Sequence, residues 1–84
     1  MRIHCLGGGL VGSFVTRRLV ESGFDVHLYD VVMRDTSANF HLGDALISDH
    51  RHAEIIVNML PGSLGNKMTS LLKNTGQRIV DLSF

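Results

Sequence analysis

The chain has one cysteine, one proline and no tryptophan, and its acids and bases cancel to a formal charge of zero. Each shortage excludes something. A single thiol, Cys5, rules out an internal disulfide. A balanced charge gives no electrostatic reason to bind nucleic acid. No apolar run approaches the roughly 20 residues that cross a bilayer. The apolar start lacks the long core and small-residue cleavage site of a signal peptide. There is no tandem repeat, low-complexity tract or linker. These features together point to a cytoplasmic protein without a membrane partner. At 84 residues the chain makes one domain, spanning 1–84. A chain of this size buries only about 60% of its unfolded surface, and it has no room for a second, substrate-holding region. It therefore reads as a module cut from something larger, or one that needs a partner.

Glycine is not scarce. Gly7-Gly8-Gly9-Leu10-Val11-Gly12 fits G-x-G-x-x-G, directly after the apolar run Arg2 to Leu6 and directly before a helical pattern. Asp30 closes the next apolar run, 18 residues beyond Gly12, near the roughly 20-residue spacing of a ribose-binding acid. Each part has a mechanical reason. Gly7 permits the tight turn out of the strand. Gly9 has no side chain, so a pyrophosphate can reach the backbone. Gly12 lets helix and strand pack closely. Amides at the start of the helix point at the phosphates with the helix dipole behind them. The arrangement predicts a dinucleotide-binding βαβ unit.

The rest of the chain continues the alternation. A helix is expected over roughly Leu10 to Ser22, with Val11, Val15 and Leu19 inward, Leu10 and Phe14 beside them, and Gly23 as its stop. Asp25 to Asp30 reads as strand two. Val31 to Asn39 is too short for a full helix and reads as a loop or a single turn. Phe40 to Leu42 reads as a short third strand, and Leu46 to Ala53 as a short helix of weak pattern. Ile55 to Leu60, apolar except for Asn58, reads as a strand buried on both faces. Pro61-Gly62 ends it and Ser63 is the expected N-cap. Leu64, Met68, Leu71 and Leu72 give a helical stripe, with Lys73 near the end and Gly76 as the stop. Arg78 to Ser83 makes the last strand. The fold class is α/β: a doubly wound, Rossmann-like parallel sheet of about five strands in three α/β/α layers.

Asp30 is the strongest candidate for a binding side chain, since a carboxylate there accepts both ribose hydroxyls and repels the extra phosphate of NADP. NAD is the favoured cofactor. Arg34 lies near enough in sequence to leave NADP open. Asp44 either reaches the adenine or is an ordinary turn acid. Leu60 and Pro61 follow the fourth strand, where a turn borders the cofactor's far ribose. Five histidines invite a metal reading, but no Cys or His cluster has zinc spacing, and no metal site is assigned. Cys5 reads as a buried, inert thiol. Ser13 caps amides or meets phosphate, and Arg17-Arg18 reads as a solvated helix face.

With these residues placed, the chain resembles the N-terminal nucleotide-binding domain of the saccharopine dehydrogenase and lysine 6-dehydrogenase family. The resemblance lies in Gly7 to Gly12 with Asp30, in Asn58-Met-Leu-Pro-Gly-Ser-Leu-Gly65, and in Arg78-Ile-Val-Asp-Leu-Ser-Phe84. It implies an oxidoreductase that uses NAD or NADP on the carbon–nitrogen bond of a lysine-derived amino acid. Carried over by position, cofactor contacts come from Gly7, Gly9, Leu10, Val11, Gly12 and Asp30, with Asp44, Leu60 and Pro61 as further contributors. The stretch after Asp30 departs from the family by its shortness. The catalytic residues and the amino-acid substrate belong to a region beyond Phe84, so the chain alone is expected to bind cofactor without turnover. The rival reading is a nucleotide-sensing regulatory module of the potassium-transport type, which shares the glycine loop and the acid and performs no chemistry. A scaffold that has lost its nucleotide is the third. An exposed edge on the last strand favours self-association into a homo-oligomer.

Overall fold

Two largely buried runs, Ile3-His-Cys-Leu6 and Ile55-Ile-Val-Asn58, lie at the centre of the sheet, as a parallel sheet covered on both faces requires. A computed structural model describes residues 1–72 and 75–82. The elements in order are β1 (Arg2–Leu6), α1 (Leu10–Glu21), β2 (Asp25–Asp30), β3 (Asn39–Leu42), a 3₁₀ turn (Ala45–Ile47), β4 (Ile55–Asn58), α2 (Gly62–Leu72) and β5 (Arg78–Asp81). All strand pairs are parallel, in the spatial order β3-β2-β1-β4-β5. The chain reverses its direction of winding between β1 and β4, which opens a crevice at their carboxyl ends. The expected α/β fold with a five-stranded, Rossmann-like sheet is the one observed. Among the described residues, no helix is long and apolar enough to cross a membrane.

The two sheet faces carry separate cores. Ile3, Cys5, Val26, Leu28, Val57 and Met59 pack under α1, with Val15, Leu19 and Val20 against them. Leu6, Tyr29, Ile56, Met68 and Leu72 lie on the α2 face, joined by Ala45 and Ala53 from the loop before β4. These are the three expected layers.

Both helices pack part of the expected stripe inward, Val15 and Leu19 in α1 and Met68 and Leu72 in α2, and turn the rest outward. In α1 the buried residues are Gly12 and Thr16. Leu10 is 91% exposed and Phe14 56% exposed. Small residues let the helix axis approach the sheet, and this turns the larger side chains outward. In α2, Gly65, Met68 and Leu72 are buried, while Leu64 and Leu71 are not. Ser63 lies inside the helix and does not cap it. The Pro61 carbonyl accepts the Leu64 and Gly65 amides at 3.1 and 3.3 Å.

Other boundaries shift for local reasons. α1 ends one residue early, where Ser22 caps it and Gly23 follows at φ +89°. The stretch from Val31 to Ala38 is loop, and β3 begins at Asn39. The expected helix over Leu46 to Ala53 shrinks to the 3₁₀ turn, started by the Asp44 carboxylate accepting the Leu46 amide at 2.9 Å. β4 stops at Asn58, not Leu60, because the Asn58 side chain bends the backbone by accepting the Leu60 amide at 3.2 Å. Lys73, Ser83 and Phe84 lie outside the described residues.

Candidate functional site

A cleft of about 420 Å³ opens at the carboxyl ends of β1, β2 and β4. That size falls within the roughly 300–1,000 Å³ of small-molecule sites. Gly7, Gly8 and Gly9 form its floor. Gly7 holds φ +97°, and a Cβ there would stand 2.9 Å from the Met59 carbonyl oxygen. A Cβ at Gly12 would strike the Gly7 carbonyl oxygen. Both glycines are thus fixed by the fold itself. Gly9 differs: its φ of −65° and ψ of −163° suit any residue, and a Cβ there would meet nothing within 4 Å. Gly9 is also the N-cap of α1, and no side chain caps that helix. The start of α1 therefore presents backbone amides next to open space, as an anion requires.

Asp30 comes directly to this bend. Its Oδ2 accepts the Gly8 amide at 2.7 Å and Arg34 Nε at 3.0 Å, and its Oδ1 accepts the Val32 amide at 3.0 Å. Only 10% of its side chain is exposed. Burial alone would raise its pKa. The hydrogen bonds from Val32, Gly8 and Arg34 outweigh burial and hold the carboxyl below the usual carboxylate range. The acid is ionised at neutral pH and aimed along the cleft wall. Gly8 was not singled out in the sequence, because the fingerprint leaves its position free. Its amide is the link between loop and acid.

The other expected residues divide. Asp44, Leu60 and Pro61 line the cleft. Asp44 spends one oxygen on the 3₁₀ turn. Leu10, Val11 and Gly12 do not line it; the side chains of the first two face solvent, which leaves their backbone as what they offer. Ser13 donates to the Gly8 carbonyl at 2.8 Å, so it braces the loop. The sequence did not single out Val31, Val32, Leu46, Met59 or Leu64, which give the cleft its apolar walls. Each adjoins a strand end or opens a helix, and that position was the available signal.

Asn58 is a further residue that sequence reasoning passed over. It is fully buried. Its amide donates to the Gly65 carbonyl at 2.9 Å and to Thr69 Oγ1 at 3.2 Å. It thereby ties the cleft turn at Leu60 to α2. A polar residue inside a buried strand must find such partners, which was the signal. Among the described residues, no group of three or more His, Cys, Asp or Glu side chains stands in metal-holding geometry.

No protein-family model matches the chain, and neither does any curated protein sequence. Solved structures do match. One is the Kef CTD of Shewanella denitrificans in an AMP-bound form, with a TM-score of 0.81 and 17% sequence identity. The match covers 99% of this chain and 57% of that one, so the chain spans little more than half of its neighbour. At that identity the likeness establishes a shared Rossmann-like fold.

Proposed function

We propose that the chain binds an adenine nucleotide and acts as a sensing module without chemistry of its own. The observation that carries this is the contact between acid and bend: Asp30 lies 2.7 Å from the Gly8 amide, beside the unfilled space at Gly9. One carboxylate for a ribose and one amide-rich bend for a phosphate then share a single cleft. The apolar walls supplied by Val32, Leu46 and Leu64 suit a purine. Among the described residues the cleft holds no nucleophile paired with a base, which favours binding over catalysis. The likeness to an AMP-bound Kef CTD supports a regulatory role over the saccharopine dehydrogenase reading.

The dehydrogenase reading keeps one observation in its favour. The Leu60-Pro61 turn lines the far wall of the cleft, where a nicotinamide half would lie. Calorimetry with AMP, NAD, NADH and NADPH tests both readings. The expected result is binding of AMP and NAD, with NADPH at least about tenfold weaker because its 2′-phosphate meets the Asp30 carboxylate. NAD binding far tighter than AMP would favour the cofactor domain of an oxidoreductase. No binding of any of the four overturns the nucleotide function.

A further inference from the structure

Parallel pairing sets His4 level with His27, and Tyr29 level with His41, so one sheet face carries a row of imidazoles. His50 comes down onto this row from the loop before β4. His4 is 0% exposed and His50 5% exposed.

The hydrogen bonds here run one way. Arg2 Nε donates to His4 Nε2 at 2.9 Å. His4 Nδ1 and His50 Nδ1 stand 2.8 Å apart. His50 Nε2 lies 2.8 Å from the Ala45 carbonyl oxygen. A guanidinium can only donate and a carbonyl can only accept. The two ends therefore fix each ring's proton: His4 carries it on Nδ1 and His50 on Nε2. There is no place for a second proton. On His50 Nδ1 it would face the His4 N–H, and on His4 Nε2 it would face the Arg2 N–H. Ala45, at the end of the chain, lines the nucleotide cleft.

We propose that Arg2, His4 and His50 tether the Ala45 wall of the cleft only while both imidazoles are neutral, so that acid slackens the cleft and weakens nucleotide binding; this rests on the nucleotide function proposed above. The surroundings enforce neutrality. Burial first, and then the neighbouring His50, Arg2, His27 and His41, push His4 down to about 3. Burial also lowers His50, against the pull of the Ala45 carbonyl and Asp49. His27 and Tyr29 face the pair from β2 and His41 faces it from β3. Asp49 and Arg51 flank His50 in sequence, and α2 adds the apolar Met68 and Leu72 to this face. His27 is itself engaged, with Asp25 Oδ1 at 3.1 Å and His41 Nε2 at 2.8 Å. Two groups favour the charged form of His50 and none favours that of His4, so acid acts first at His50. The His50 carbonyl is also held by the Gln77 side chain. A break at the imidazole is therefore passed to Ala45 and Asp44 and does not free the whole loop.

Imidazole ¹⁵N NMR of the chain reads the tautomers directly. The expected pattern at pH 7.5 is Nδ1–H on His4 and Nε2–H on His50. The opposite tautomers, or a doubly protonated ring at that pH, overturn the proposal whether or not AMP binds. On acidification the Ala45 amide resonance is expected to titrate with the same midpoint as the His50 ring; an Ala45 signal that ignores His50 sinks the tether. Calorimetry with AMP at pH 7.5 and at one pH unit below the His50 midpoint found by NMR then compares the wild type with His50→Gln, which keeps a donor and an acceptor but cannot titrate. Phosphate protonation is common to both proteins. The wild type should lose at least fivefold more affinity than the variant, and equal losses refute the link to the cleft. Failure of AMP to bind at pH 7.5 counts against the nucleotide function, and the NMR titration still decides the tether. If the variant does not fold, the wild-type titration decides alone.

Discussion

Gly9 separates what the fold needs from what a ligand needs. Replacing it with alanine adds one methyl group at a position with ordinary dihedrals and no neighbour within 4 Å. The folded chain should barely notice. Alanine is a poorer N-cap than glycine by about 0.5–1 kcal/mol, and the loss of glycine's freedom in the unfolded chain offsets this by roughly 0.4–1 kcal/mol. The net change in stability is within about 1 kcal/mol. A bound phosphate is affected much more, since the methyl group stands where it must approach the amides at the start of α1. Charge-assisted hydrogen bonds contribute about 1.5–3 kcal/mol each. Losing one or two lowers affinity by roughly 10- to 1,000-fold or more. Gly12→Ala gives the contrast, because its Cβ strikes the Gly7 carbonyl oxygen and the backbone must shift. Thermal melts and AMP calorimetry on both variants make the test. Gly9→Ala should melt like the parent and bind far less AMP, whereas Gly12→Ala should lose stability first. Unchanged affinity in a folded Gly9→Ala variant refutes the assignment of phosphate to this bend.

Three further outcomes follow from the same geometry. Asp30→Asn removes the charge that pairs with Arg34 and turns one of the two acceptor oxygens into an N–H donor, so AMP affinity should fall at least about tenfold by calorimetry; wild-type affinity would remove Asp30 from the site. Asn58→Ala strands the Leu60 amide and cuts the tie to the Gly65 carbonyl, which keeps the Thr69 hydroxyl, and urea denaturation should show a loss of about 1–3 kcal/mol; a neutral result would mean that the turn is held otherwise. His4 has an ordinary value of 6.5 when unfolded and is pushed down to about 3 when folded, so between those values the unfolded chain binds the extra proton and stability drops as the pH is lowered. The slope is about 1.4 kcal/mol per pH unit for this group, and His41 and His50, lowered in the same direction, steepen it. Urea midpoints at pH 7 and 5 should differ accordingly, and equal midpoints would refute a neutral, buried His4.

Much of the frame was legible because periodicity and turn chemistry act locally. β1 and β2 have the bounds that their apolar runs imply, and Asp30 falls at the end of β2. The reading failed where bulk stood in for geometry. A stripe drawn through the large residues of α1 put Val11 inward with Val15 and Leu19; the last two do pack on the core, but the fully buried positions are Gly12 and Thr16. The same substitution misplaced Leu64, which faces the cleft. Small residues carry no hydropathy signal, yet they decide how close a helix sits and so which face it buries.

The histidines show a second reason. Each was judged by its neighbours in sequence, and at that range His4, His27, His41 and His50 have nothing in common. Their association depends on register: β1 against β2 aligns His4 with His27, and the loop before β4 drops His50 onto the same face. Register is fixed by which residues the two cores must bury, so it follows from the strands' whole pattern and not from the neighbours of any one histidine. Asn58 obeys the same logic. Within its strand it reads as an interruption of an apolar run, but across the structure it is the bond between a turn and a helix. Polar residues inside buried strands therefore carry information that hydropathy treats as noise. Each has to be matched with a partner, and here those partners lead back to the walls of one cleft: Leu60 through Asn58, and Ala45 through His50.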